Sequence, residues 1–183
     1  MNLMDPHNRF NIANIVTFAN VACGVMAMYF VTQHMFLPAI ILAWIAGGFD
    51  ILDGKLARKY KLSTEFGVQL DSFGDFLSFV IMPAFLLFYS LYLTDWFSIL
   101  VIGAVFIYYI ISGLRRLVEF NLKTDAGSVD KYFTGVPTPL GAILLWVLYL
   151  IHSFGIISSP WIIAILAGIV AWSLNSNIKI KHP

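Results

Sequence analysis

The chain has 183 residues, 60% of them hydrophobic and 11% charged, and its formal net charge is +1. Such a large apolar share with so few charges excludes an ordinary soluble domain, and the near-neutral balance leaves no basic surplus for a nucleic-acid partner. The composition is that of a chain that lives in lipid.

Residues 4–11, with Arg9 and Phe10, open the chain and read either as a short helix on the membrane surface or as a plain disordered terminus. Six apolar runs follow, at 12–31, 36–54, 67–93, 96–115, 138–152 and 159–174, the fifth being the shortest. They predict an all-α integral membrane fold of six transmembrane helices. It forms a single domain over 1–183, with the helices in 12–174 and a tail at 175–183. Only Arg9 flanks the first run and no cleavage pattern follows it, so it reads as an uncleaved anchor. Cys23 within it is the single cysteine, which gives redox chemistry no support.

Charge placement checks this drawing independently. Arg9 precedes run one. Lys55, Arg58, Lys59 and Lys61 lie between runs two and three, Arg115, Arg116, Lys123 and Lys131 between four and five, and Lys179 and Lys181 after six. All eleven basic residues therefore fall on one side, and the opposite loops near Gln33, Asp95 and Gly155 hold none. The positive-inside rule makes that side cytoplasmic, with both termini on it. Trp96, Trp161, Tyr92 and Tyr149 fall near the opposite ends, as interfacial aromatics do. No internal repeat, low-complexity tract or soluble domain interrupts the pattern, and the longest polar interval is 121–133.

Chemistry concentrates where runs two and three meet the cytoplasm. Four aspartates stand in the array Asp50-x2-Asp53-Gly54-x2-Ala57-Arg58-x8-Gly67-x3-Asp71-x3-Asp75. A carboxylate in a spanning segment costs several kcal/mol, so four require cations or a wet cavity. Spacings of three and four stack each pair on one helical face. Gly47, Gly48, Gly54, Gly67 and Gly74 allow the two helices to approach closely. Facing carboxylates repel, and one or two divalent ions relieve the repulsion; oxygen ligands without Cys or His favour Mg2+ or Mn2+. Paired ions of this kind suit displacement at phosphorus. The competing reading is a charge network with Lys55, Arg58, Lys59 and Lys61. Arg58, one turn beyond Asp53, presents a fork suited to phosphate oxygens, and Gly54 and Ala57 leave room for a flat base or sugar or simply permit tight helix packing.

This array resembles the signature of the CDP-alcohol phosphotransferases, Asp-x2-Asp-Gly-x2-Ala-Arg-x8 or more-Gly-x3-Asp-x3-Asp, and meets all eight of its fixed positions. The flanks are similar to the phosphatidylserine synthase branch of bacterial and archaeal type. These are Thr17-x2-Asn20-x2-Cys23-Gly24, Arg116-Leu117-x2-Phe120-Asn121 and Phe133-x-Gly135-x-Pro137-x-Pro139. The resemblance implies six transmembrane helices, a homodimer, and transfer from a CDP-linked lipid to an alcohol with release of CMP. It implies that Asp50, Asp53, Asp71 and Asp75 hold metal as a pair of ions, that Gly54, Ala57, Arg58 and Gly67 bind the CDP moiety, and that Asp75 is the general base. Arg116 and Asn121 are candidates for gripping the carboxylate or amine of L-serine, against a snorkelling Arg and a helix-capping Asn. Where the branch usually has a basic residue before Phe-Asn, this chain has Glu119, with Arg115 one turn earlier.

The remaining polar residues read blandly. Pro137 and Pro139 set the entry of run five, although 133–139 is also placed to line an alcohol pocket. His7, His34, His152 and His182 never pair at ligand spacing, and Met26, Met28 and the phenylalanines of run three are packing or lipid-facing. The expected activity is phosphatidylserine synthesis, or its archaeal ether analogue, at the cytoplasmic face of the cell inner membrane. Glycerol phosphate or inositol phosphate is the alternative acceptor. The non-enzyme alternative is a divalent-cation transporter, which should carry ionisable groups through the full membrane depth; here the outer half holds none but Asp95 in a loop.

Overall fold

A computed structural model describes residues 3–5, 8–125, 132–176 and 179–181. His7, Lys131 and His182 lie outside the described residues, as does part of the opening segment 4–11, whose described residues form turns. The chain divides into two compact units, 1–78 and 79–183. Among the described residues, every regular element apart from one short ribbon is helical.

The first unit is built on α1 (Ile12–Thr32), α2 (Phe36–Lys59) and α3 (Glu65–Asp75). Asn11 caps α1 by accepting from the Asn14 amide at 3.0 Å, which occupies one of the donors a helix start leaves open. His34, at φ 57°, turns the chain from α1 into α2. Arg58 and Lys59 in the last turn of α2 complement its C-terminal partial charge.

A Schellman turn then ends α2. Leu62 N–H donates to Ala57 O at 2.9 Å and Lys61 N–H to Arg58 O at 3.5 Å, with Lys61 in the left-handed region at φ 54°. Leu62 is buried behind the turn and offsets a conformation that glycine would adopt more cheaply. Thr64 caps α3, its hydroxyl accepting from Gly67 N–H at 3.1 Å.

The helix begun by α3 continues through a π-helical turn, Phe76–Ile81, into α4 (Met82–Ser90). In the second unit the cause of this irregularity is visible. Pro83 has no N–H to offer the carbonyl of Phe79 four residues back, and the buried Tyr109 hydroxyl donates to that carbonyl at 3.4 Å. Tyr109 belongs to α5 (Trp96–Asp125), whose start is capped by Asp95 accepting from Ser98 N–H at 2.8 Å. That bond holds the Asp95 carboxyl below its ordinary range.

β1 (Tyr132–Thr134) pairs antiparallel with β2 (Lys179–Lys181), Phe133 opposite Ile180, an element the helical expectation did not contain. Between them run α6 (Thr138–Ser153) and α7 (Pro160–Leu174), each with proline in its first turn, where a missing N–H costs nothing. Gly135, at φ +87°, brings its backbone so close to the end of α7 that a Cβ would lie 2.6 Å from Leu174 O, and Val136 N–H donates to Ser173 O at 3.2 Å. The Gly135-x-Pro137 motif therefore sets the entry to α6 by docking it on the end of α7.

Every expected run lies on a helix, apart from Ser159 and the last three residues of the third run, which pass the helix end at Ser90. Four helices, Ile12–Thr32, Phe36–Lys59, Glu65–Ser90 and Trp96–Leu122, have the length and apolarity to cross a membrane, and the chain is an integral membrane protein. α6 and α7, with 16 and 15 residues, are apolar but shorter than the usual span.

Candidate active site

Three helices of the first unit assemble the site, and α1 sets its levels. Asn14, Thr17, Asn20 and Gly24 recur every three or four residues and share one face of α1. Each meets a defined level of the neighbouring helices. A Cβ on Gly67 would lie 2.9 Å from Asn14 Oδ1, and one on Gly74 would lie 3.2 Å from Asn20 Nδ2. One on Gly24 would lie 2.9 Å from the Leu77 side chain. These glycines are what close approach of α1 and α3 requires.

The aspartates converge at the inner levels. Carboxylate oxygens of Asp50, Asp53 and Asp71 lie within 4.8 Å of one another. Asp75 is within hydrogen-bonding reach of Asp50, so it joins the cluster through its neighbour. Asn20, fully buried, accepts from the Ser78 hydroxyl at 2.9 Å and offers Nδ2 to Asp50 Oδ1 at 3.4 Å. The π-helical turn thus carries the side chain that orients Asn20, and Asn20 in turn orients Asp50.

Asp53 is 3% exposed, and neither of its carboxylate oxygens has a hydrogen-bond partner among the described residues. Thr17 stands beside it but donates its own hydroxyl to Ala13 O at 3.1 Å. A buried carboxylate with nothing to accept from is strongly unfavourable by itself. The competing charge network is not formed: among the described residues no ion pair joins these aspartates to Lys55, Arg58, Lys59 or Lys61, and Lys59 instead lies over the Tyr60 ring at 5.3 Å. Hard oxygen donors from three or four carboxylates, two of the oxygens buried and unpartnered, fit a divalent cation.

Next to the cluster opens a cavity of about 200 Å³. Its walls include Asp53, Gly54, Ala57 and Arg58 of α2, Gly67 and Asp71 of α3, and Asn14 and Thr17 of α1. All four residues expected at the CDP moiety, Gly54, Ala57, Arg58 and Gly67, therefore line one cavity with two of the aspartates. The Arg58 guanidinium folds back over Gly54, where a Cβ would meet Nη1 at 3.6 Å, and it acts electrostatically on Asp71.

Arg116 and Asn121 lie on α5 in the second unit. Five residues apart, they point about 140° from each other around the helix, so they do not form a pair on one face. Arg116 is buried, 5% exposed, while Asn121 is half-buried. Glu119 does not neutralise Arg116 by an ion pair, because it pairs with the exposed Arg115 at 2.8 Å. The departure at Glu119 is thus a local surface pair.

Asn14, Asn20, Ser78 and the 62–64 turn were not among the expected site residues. The spacing of polar side chains at 14, 17 and 20 in an apolar helix was the available signal, since it places them on one face.

The chain matches the CDP-alcohol phosphatidyltransferase family over residues 10–173 and belongs to it. It is a transferase of phospholipid biosynthesis. Among its relatives, the CDP-diacylglycerol–serine O-phosphatidyltransferase of Methanocaldococcus jannaschii is 33% identical over 173 residues, covering 94% of this chain and 75% of the relative. The protein of the same name from Bacillus subtilis is 28% identical over 169 residues, 92% of this chain and 88% of the relative. That from Helicobacter pylori strain 26695 is 29% identical over 133 residues, 72% of this chain, and the match spans only 54% of that longer protein.

Proposed function

We propose that the chain transfers the phosphatidyl group, or its archaeal ether counterpart, from a CDP-linked lipid to L-serine and releases CMP. The observation that carries this reading is the shared cavity: the small residues and arginine suited to a nucleotide adjoin a carboxylate cluster suited to cations. The serine acceptor is supported by the names of the relatives and by the Arg116 to Asn121 motif.

The chemistry follows from the groups present. The serine hydroxyl attacks the phosphorus that bears the lipid, a new P–O bond forms, and the pyrophosphate P–O bond to CMP breaks. A hydroxyl is a poor nucleophile near neutral pH, so a carboxylate must take its proton, and Asp75 is assigned that role. Arg58 holds the departing phosphate through its planar fork. Asp50, Asp53, Asp71 and Asp75 would hold two Mg2+ or Mn2+ ions, whose contribution when bound is to neutralise the charge on the phosphates. Gly54, Ala57 and Gly67 leave the space in which the nucleotide lies. Arg116, a buried cation outside any ion pair among the described residues, is assigned to the serine carboxylate; Asn121, on another face of the same helix, is not given the amine of that serine.

The same reading sets all six apolar helices across the cell inner membrane, in one membrane domain that works as a homodimer. The termini and the site face the cytoplasm. The one-sided placement of all eleven basic residues supports that orientation.

An acceptor panel tests the function. Purified protein with Mn2+ and CDP-diacylglycerol should release CMP with serine and not with glycerol phosphate or inositol phosphate. Release only with one of the phosphorylated alcohols would move the protein to another acceptor. No release with any of the three would overturn the enzyme reading and return the transporter alternative.

A further inference from the structure

L-Serine carries its carboxylate and its ammonium on the same carbon. The buried Arg116 guanidinium, in no ion pair among the described residues, suits the first group and repels the second, so the ammonium needs an acceptor of its own nearby. Among the described residues of the second unit, a single buried side-chain acceptor is left without a hydrogen bond, the Oδ1 of Asn175.

Asn175 stands where three segments of that unit meet. It follows the last residue of α7, and its backbone N–H donates to Trp172 O at 3.2 Å. Its Nδ2 donates to Ser112 O of α5, also at 3.2 Å. Ser112 O is the carbonyl that the Arg116 amide faces one helical turn later, so the Asn175 side chain lies against the turn that Arg116 closes. Ser112 and Arg116, both buried, share that face of α5. The third segment is the entry to α6. A Cβ on Gly135 would lie 2.6 Å from Leu174 O and 3.0 Å from Ser176 O, the carbonyls on either side of Asn175, so glycine at 135 is what lets this segment back the end of α7.

The tie to Ser112 fixes the orientation of the amide. Because its nitrogen faces a carbonyl, its other end is the oxygen. A buried oxygen with no donor costs free energy until a ligand N–H reaches it. Nor does the helix end explain the residue: Asn175 has φ −108°, not the left-handed conformation for which asparagine serves at such ends. We propose that Asn175 Oδ1 accepts from the ammonium of serine while Arg116 takes its carboxylate, which makes Asn175 the residue that selects an amino acid over a hydroxy acid as acceptor. This inference rests on the proposed function, which supplies serine as the acceptor.

The test uses the full chain in detergent with Mn2+ and CDP-diacylglycerol, and compares labelled L-serine with 3-hydroxypropionate, which is serine with hydrogen in place of the amine. The KM of serine and the inhibition constant of 3-hydroxypropionate against serine transfer are measured on the same preparations. In the wild-type protein 3-hydroxypropionate should bind about 10- to 100-fold more weakly than serine, because it lacks the charge-assisted bond to Oδ1. In Asn175→Ala the serine KM should rise toward that constant, which itself changes little. Equal values in the wild-type protein overturn the inference, and this arm needs no variant to fold. A serine preference that survives undiminished in Asn175→Ala overturns it as well. So does a loss of affinity for both ligands by the same factor, which is what a purely structural Asn175 would give. Asn175→Leu, of similar volume, takes the place of the alanine variant should that one fail to fold. Release of CMP separates the two failures. If serine drives release but Asn175 does not set the preference, only its role is lost; if serine drives no release, the proposed function fails.

Discussion

Replacing Asp53 by asparagine should stabilise the metal-free protein while abolishing its response to metal. Asp53 is 3% exposed and its oxygens have no donor among the described residues, so its charge is uncompensated until a cation arrives. With carboxylate oxygens within 4.8 Å, each ionised pair repels by about 3 kcal/mol at an effective dielectric constant near 20. An asparagine removes that repulsion but buries an amide lacking an evident partner, which returns about 1 to 3 kcal/mol. Counting one ionised pair, the net gain expected for Asp53→Asn in chelator is on the order of 0 to 2 kcal/mol, or a rise of up to several degrees in Tm. Mn2+ at about a hundred times its Kd should add about 2.7 kcal/mol to the wild-type protein and almost nothing to the variant. Thermal unfolding in detergent, with chelator and with Mn2+, reads both effects. A variant less stable than wild type in chelator, or one stabilised equally by Mn2+, would refute the reasoning.

Other outcomes follow from single contacts. Gly67→Ala gains about 1 kcal/mol of helix propensity but drives Asn14 off its bond to Arg9, losing about as much. Its Tm should therefore stay near wild type while CMP affinity falls, and unchanged affinity would count against the cavity as the nucleotide site. Arg58→Lys keeps the charge and loses the fork, so the rate of CMP release should drop roughly 10- to 100-fold with the fold intact; wild-type turnover would remove Arg58 from the phosphate. Tyr109→Phe leaves Phe79 O without its hydroxyl partner and should cost about 1 kcal/mol in unfolding experiments. Its CMP release should remain normal.

Much of this was legible in the sequence because lipid imposes simple rules. The six apolar runs fall on helices, and the edges differ mainly where polar residues extend a helix beyond the apolar stretch, as Lys55 to Lys59 do for α2. The aspartates were legible from spacing alone, since i,i+3 and i,i+4 positions must share a face. Less was visible in α1, because Asn14 and Asn20 acquire meaning only when Gly67 and Gly74 bring α3 against them. The π-helical turn was not readable either: Pro83 signals an interruption, but a residue far along the chain, Tyr109, satisfies the freed carbonyl. The turn that places 62–64 in the cavity wall was hidden for a related reason. Lys61 adopts a left-handed conformation without being glycine, and only the burial of Leu62 explains it.

The most direct test of the central claim, that the aspartate cluster holds the cations used in transfer, is a single Mn2+ titration of the purified chain. Bound metal is followed by electron paramagnetic resonance and CMP release is measured in the same samples, with CDP-diacylglycerol and serine present. The account predicts that saturable binding and CMP release rise together, and that both are lost in Asp71→Asn. Saturable binding that Asp71→Asn leaves intact, or CMP release that proceeds fully in chelator, would contradict it.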